Sequence, residues 1–147
     1  MYKLILLLHM LGATIWTGGH LVLALCVLPR VLAEKSPSRL LEFETTYEKI
    51  GVPALIVQVA SGFWLAHRFL PDFAQWFSAD DAISRLILVK ITLLVLTLVL
   101  ALHARLRIIP KLSVNNLNLL AGHIIAVTIL SVLFVATGLG FRTGGFF

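Results

Sequence analysis

The sequence predicts an all-α fold, a four-helix transmembrane bundle of up-down topology, and three observations carry that prediction. Hydrophobic residues make up 59% of the 147 residues and charged residues only 13%, where a soluble domain carries about a quarter charged. Mean hydropathy is +0.99. The apolar residues fall into four blocks, each close to the roughly 20 residues that cross a hydrocarbon core of about 30 Å. Only short connections remain, so residues 1–147 read as a single transmembrane domain with no room for a separate soluble catalytic or sensory domain. This points away from an enzyme and toward chemistry inside the bundle or at its rims.

The first span covers about Leu4 to Leu28. Lys3 and Leu4 to Leu8 could open a signal peptide, but the apolar run continues through Gly18 and Gly19 to Val27 without a small-residue cleavage site, so a retained helix is expected. Pro29 and Arg30 are expected to stop it, the proline by breaking the helix and the arginine by marking the interface. Ser36-Pro37-Ser38 then opens a short surface helix over about 37–49, whose mixed charge suits a solvated face. The second span runs from about Ile50 to Leu70, with Gly51, Pro53 and Gly62 tolerated where neighbours satisfy the freed backbone. Pro71, Asp72, Phe73, Gln75 and Trp76 form an aromatic interfacial loop. Asp80 and Asp81 precede the third span, about Leu86 to Ala104, which Arg105, Arg107, Pro110 and Lys111 close. Asn115-Asn116 make a turn, and the fourth span covers about Leu117 to Leu139.

The net charge of +5 and pI near 9.9 do not point to nucleic acid, because the basic residues sit at the ends of the apolar blocks. The connections after the first and third spans carry Arg30, Lys35, Arg39, Lys49, Arg105, Arg107 and Lys111, seven in all; the opposite side carries Lys3, Arg68, Arg85 and Arg142, four. Cytoplasmic loops retain Lys and Arg, so both termini are expected outside the cytoplasm. Cys26 stands alone in an apolar run, which excludes a disulfide framework or a CxxC motif and reads as a packed membrane residue.

Five histidines are the unusual feature. His9 and His67 lie near the outer ends of the first two spans and are expected to share a layer. His20 is deeper, and His103 and His123, near the inner ends of the third and fourth spans, can form a second layer. His9 and His20 are eleven residues apart, three turns plus about 20°, which puts them on one helix face about 16 Å apart with Trp16 and Thr17 between. A polar-aromatic stripe of this kind should face the bundle interior. Gly12 and Gly19 on a neighbouring stripe would let a second helix or a flat cofactor come close. His123 shares an inward face with Val127, Leu130, Phe134 and Thr137.

A neutral imidazole brings a nitrogen ligand into the membrane without formal charge, and it suits copper, zinc and haem iron. Any one of these histidines could instead hydrogen-bond a carbonyl or hydroxyl across the bundle. Five together, against only Met1, Met10 and Cys26 as sulfur donors, favour a nitrogen-ligated centre: copper held by His9, His20, His67, His103 and His123, or haem b with two of them as axial ligands. Lys90, about a turn inside the third span, can snorkel to the interface or hold an anionic partner such as a haem propionate. Gln58 and Ser61 read as interhelical hydrogen-bonding groups.

The segments Leu8-His9-Met10-Leu11-Gly12, Trp16-Thr17-Gly18-Gly19-His20 and Leu28-Pro29-Arg30 resemble the first helix of small copper resistance D (CopD) family membrane proteins. Gly51-Val52-Pro53, Gly62-Phe63-Trp64, Lys90 with His103-Ala104-Arg105, and the Phe141-Arg142-Thr143-Gly144-Gly145 ending extend the likeness over nearly the whole chain. The pattern of His9, Leu28-Pro29-Arg30 and Lys90 ahead of His103 is also similar to HemJ-type protoporphyrinogen oxidases. The first resemblance implies a copper-homeostasis protein of a bacterial inner membrane that binds or relays copper through its histidines. The second implies a haem-linked redox bundle, quinone-linked or acting on a porphyrinogen. Either reading implies lipid contact, and a periplasmic donor of metal or electrons would suit both. Four helices make a thin pore, which suits a homodimer.

Overall fold

A computed structural model describes residues 1–145. Among them lie four long helices, α1 (Tyr2–Glu34), α2 (Pro37–Phe69), α3 (Ala82–Lys111) and α4 (Val114–Thr143), each long and apolar enough to cross a membrane. The fold is all-α, as the composition requires, and the protein is a multi-pass membrane protein.

The first helix runs past the proline expected to stop it. In α1 the turn Leu23–Val27 widens to a π-helix, so that the N–H of Leu28 bonds the carbonyl of Leu23, and Pro29 then enters the first turn of Leu28–Glu34, where its missing N–H costs nothing. The same device recurs in α3. Ala104–Ile108 is a π turn closed by Ile109 N–H on the Ala104 carbonyl, and Pro110 follows in a 3-10 turn, Ile109–Lys111. Each proline thus follows a wide turn by two residues; α1 continues beyond Pro29 to Glu34, whereas α3 ends at Lys111, where the basic cluster and Pro110 are expected to close it. Cys26 lies in the first π turn and is exposed, turned out of the bundle rather than packed within it.

The surface helix expected over 37–49 and the span expected from Ile50 are one element. After the reversal at Lys35, which adopts a left-handed conformation with φ 49° while Ser36 N–H bonds the Val31 carbonyl at 3.1 Å, α2 starts at Pro37 and continues unbroken to Phe69. The physical reason lies in its inward stripe. Leu40, Gly51, Ala54, Ser61 and Leu65 are buried, and Phe43, Tyr47 and Gln58 interleave with them at spacings of three and four, so one helical face runs through the supposed boundary.

At the outer end, Trp76 is buried in the 3-10 turn Phe73–Phe77, donating its indole N–H to the Leu70 carbonyl at 2.8 Å and stacking on Phe63. The α3 start is fixed by a capping box in which Asp81 accepts from Ser84 N–H at 2.8 Å and Ser84 Oγ accepts from Asp81 N–H at 3.1 Å. That backbone bond from Ser84 holds the Asp81 carboxyl below its ordinary range.

Around the bundle, α1 packs along α2 and α4, and α3 packs on α4. Phe69 meets Phe141 at one end, with ring centroids 5.4 Å apart, and Arg105 bridges to Glu48 at 2.9 Å near the other. The second of these ends carries the seven basic residues and is called the inner end after the orientation expected from them. A dense apolar core fills it, built from Leu23, Leu28, Val31, Leu40, Ala104, Ile108, Leu117, Leu120, Ala121 and Ile124.

Candidate functional site

The histidines occupy four places, and in three of them a backbone carbonyl sets which ring nitrogen carries the proton. A carbonyl can only accept, so a ring nitrogen within hydrogen-bond distance of one must donate. His9 Nδ1 lies 3.0 Å from the Gln58 carbonyl and 3.0 Å from Ser61 Oγ. Ser61 spends its own hydroxyl proton on the Val57 carbonyl at 2.6 Å, so the His9 N–H is shared between two acceptors on α2. Gly62 allows this approach, since a Cβ there would stand 3.1 Å from His9 Cε1.

His20 Nδ1 donates to the Trp16 carbonyl one turn earlier, at 2.9 Å. Its ring leans on Trp16, centroids 4.4 Å apart, and meets the edge of Tyr47 at 5.8 Å. Tyr47 reaches across from α2, its hydroxyl donating to the carbonyls of Ile15 and Trp16 at 3.0 and 3.1 Å. The ring passes between Gly19 and Gly51, where any Cβ on α1 at position 19 would overlap it. The glycines expected to admit a second helix do so. The inward stripe of α1 is completed by Thr17, which is buried and donates to the Ser131 carbonyl at 3.3 Å, while Thr128 donates to the His20 carbonyl at 3.2 Å.

The third place is a pair. His123 Nδ1 donates to the Leu119 carbonyl at 2.9 Å, which leaves its Nε2 as an acceptor. His103 Nδ1 lies 2.8 Å from that Nε2 and therefore donates to it. The two rings stack at 26° with centroids 5.0 Å apart. The pair sits on the outside of the α3–α4 seam, with His103 exposed and His123 half-buried.

His67 is exposed. It does not share a layer with His9, which meets Ser61 and Gly62 on α2, five to six residues or about 8 Å further in along the axis. Lys90 is half-buried, with its ammonium against α4 near Gly138. Its ammonium lies 5.5 Å from the Phe141 ring centroid, a cation–π placement, and no carboxylate bridges to it among the described residues.

The five histidines do not converge. Among the described residues no three His, Cys, Asp or Glu side chains gather at one point, and only His103 and His123 meet. A haem with two axial imidazoles needs them facing one another across a porphyrin plane. The pair that meets is joined nitrogen to nitrogen, so this arrangement does not fit a bis-histidine haem. Three imidazoles nonetheless share one chemical state: Nδ1–H is spent on a carbonyl and Nε2 is left as a lone pair. This second-layer arrangement is the one that metal-ligating histidines ordinarily have.

Sequence reasoning missed Tyr47, which it left on a solvated surface helix. The signal was present in the spacing of Phe43, Tyr47 and Gly51, which puts the tyrosine on the same face as the small residue that α1 approaches.

A family model described as copper resistance protein D matches residues 41–140, about two thirds of the chain. The matched stretch contains His67, Lys90, His103 and His123 and begins after His9, Trp16 and His20. No curated protein and no solved structure matches the chain.

Proposed function

Since this chain belongs to the copper resistance protein D family, we propose that it is an integral membrane copper-homeostasis protein of a bacterial inner membrane, binding and relaying copper through its imidazoles. The reading rests on one observation, the His103–His123 pair with its tautomers fixed by the Leu119 carbonyl. Copper entering here requires His103 to carry its proton on Nε2 instead of Nδ1, with no net proton lost, and then finds two neutral nitrogen donors, His103 Nδ1 and His123 Nε2. Metal–imidazole bonds of about 2 Å put the two nitrogens roughly 3.3–4 Å apart, so the pair must open by only ~0.5–1.2 Å from its 2.8 Å contact. Imidazole nitrogen suits copper.

His20 and His9 are the further stations. Each presents a carbonyl-oriented ring with Nε2 free of protein partners among the described residues. His20 is tied to Thr128 on α4, five residues or about 8 Å along the axis from His123, and His9 lies about 16 Å further out along α1. With the orientation expected from the basic residues, the His103–His123 pair is on the cytoplasmic side and His9 is the station nearer a periplasmic donor. A homodimer would enclose the exposed pair between two bundles.

Elemental analysis of the purified protein tests the reading. About one copper per chain is expected, with nitrogen-only ligation by X-ray absorption; His103→Ala and His123→Ala each lose it and His67→Ala retains it. Copper retained by both pair variants, or a Soret band in the isolated protein, overturns it.

A further inference from the structure

A second ligand site, unrelated to copper, lies at the inner rim between α1 and α2, and we infer that it seats the headgroup of a phosphatidylethanolamine-type phospholipid. The site is a groove of about 440 Å³ lined by Val27, Arg30, Arg39, Glu42, Phe43 and Thr46. Its chemistry is mixed in a specific way. Val27 and Phe43 form an apolar floor, both packed against the inner core, and continue the lipid-facing surface into the groove. Arg39 is occupied by Glu34 at 3.0 Å. Arg30 and Glu42 line the same groove, yet they do not bridge each other, and neither side chain has a hydrogen-bond or ion-pair partner among the described residues. Thr46 turns its hydroxyl to the Glu42 backbone carbonyl at 3.0 Å and so leaves the carboxylate free.

An unpaired guanidinium and an unpaired carboxylate, side by side in a groove with an apolar floor, match a zwitterionic headgroup. Arg30 takes the phosphate, for which a guanidinium supplies paired donors. Glu42 takes the cationic end, and it favours a primary ammonium, which donates hydrogen bonds, over a quaternary one, which cannot. Basic pockets between membrane helices on the cytoplasmic side ordinarily select anionic lipids. Glu42 turns this one against them, because a second negative charge in the groove is repelled.

Native mass spectrometry of the full chain, equilibrated with ethanolamine, choline and glycerol phospholipids of identical acyl chains, reads the outcome. The wild type is expected to retain the ethanolamine lipid about tenfold over the choline lipid, the scale of one charge-assisted hydrogen bond, and to disfavour the glycerol lipid. Glu42→Gln brings the ethanolamine to choline ratio to unity. Arg30→Gln loses retention of all three, whereas Arg107→Gln, away from the groove, keeps the wild-type pattern. Far-UV circular dichroism confirms that each variant stays helical. Equal retention of ethanolamine and choline lipids by the wild type, preference for the glycerol lipid, or retention unchanged in Arg30→Gln overturns the inference.

Discussion

The two ends of the bundle solve the problem of intramembrane polarity in opposite ways. At the inner end the interior is apolar, filled by the cluster around Leu28, Val31, Leu40 and Ile108, and the polar groups, His103, His123 and the Arg105–Glu48 pair, lie outside it. From the middle outward the interior mixes apolar side chains such as Leu65, Leu86, Ile87 and Leu93 with polar ones. Thr17, Ser61, Thr97, Ser131 and Thr137 are buried there, His9 is bonded between helices, and Gln58 Oε1 and Thr97 Oγ1 are buried with no hydrogen-bond partner among the described residues. Lipid tails are as apolar as leucine, so packing alone drives helix association weakly, and close backbone approach and interhelical hydrogen bonds must hold the outer half. The inner half keeps its shape by side-chain volume. Its histidines are therefore free to meet a ligand, whereas the outer histidine also spends its Nδ1–H on the scaffold that holds α1 to α2.

The sharpest way to break that comparison is a methyl group. At Gly12 an added Cβ would stand 2.9 Å from the Ala54 carbonyl oxygen and 3.1 Å from Gln58 Cβ, and a backbone oxygen cannot swing aside. Gly12→Ala is expected to cost about 1 kcal/mol net, overpacking of ~1–3 kcal/mol outweighing up to ~1 kcal/mol of helix propensity gained. Gly122→Ala, toward the inner end of α4 with nothing within 4 Å, keeps the propensity gain alone and should be neutral or stabilising. Unfolding in mixed micelles followed by circular dichroism measures both. Equal destabilisation of the two variants would show that the halves are not held differently.

The histidines give the next largest contrast. His9→Ala removes a donor shared by the Gln58 carbonyl and Ser61 Oγ and leaves space against Gly62, for an expected loss of about 1–2 kcal/mol, with copper at the inner pair retained. His123→Ala breaks one exposed histidine–histidine bond, worth about 0.6 kcal/mol in a membrane bundle, and abolishes copper binding. The two variants thus separate stability from occupancy. Copper lost in His9→Ala at unchanged stability would reverse their roles.

Hydropathy made the four spans legible because the bilayer admits few alternatives for so apolar a chain. The helix ends were less legible. Pro29 reads as a stop, and it would be one in a regular α-helix; the π turn over Leu23–Val27 is a backbone adjustment that no residue type announces. The break placed before Ile50 came from reading the charges of 39–49 as a solvated helix, when the spacing of Phe43, Tyr47 and Gly51 already carried the inward face across it. At the site, the stripe of His9, Trp16, Thr17 and His20 was read from helical geometry alone. The meeting of His103 with His123 was foreseen only as a shared depth. Depth follows from counting residues, but which way two rings turn depends on the rotation of α3 against α4, and sequence spacing within one helix says nothing of that.

Tyr47 marks the passage between the two regimes, and the loss of its hydroxyl alone offers the smallest effect. Its ring does the packing, filling the gap between Gly19 and Gly51 and stacking on Phe43 with centroids 5.8 Å apart. Its hydroxyl does something separable, bonding carbonyls that α1 already uses: the Trp16 carbonyl accepts from both Tyr47 and His20. Tyr47→Phe keeps the ring and removes the hydroxyl, so the expected loss is about 0.6 kcal/mol, the typical worth of an interhelical hydrogen bond in a membrane. Tyr47→Ala removes both and should cost ~3–5 kcal/mol, as deletion of a large aromatic does. A loss in Tyr47→Phe approaching that of Tyr47→Ala would mean that hydrogen bonding, and not the fit of a ring between two glycines, sets the distance between α1 and α2. The polar regime of the outer half would then reach past His20 to the edge of the inner core.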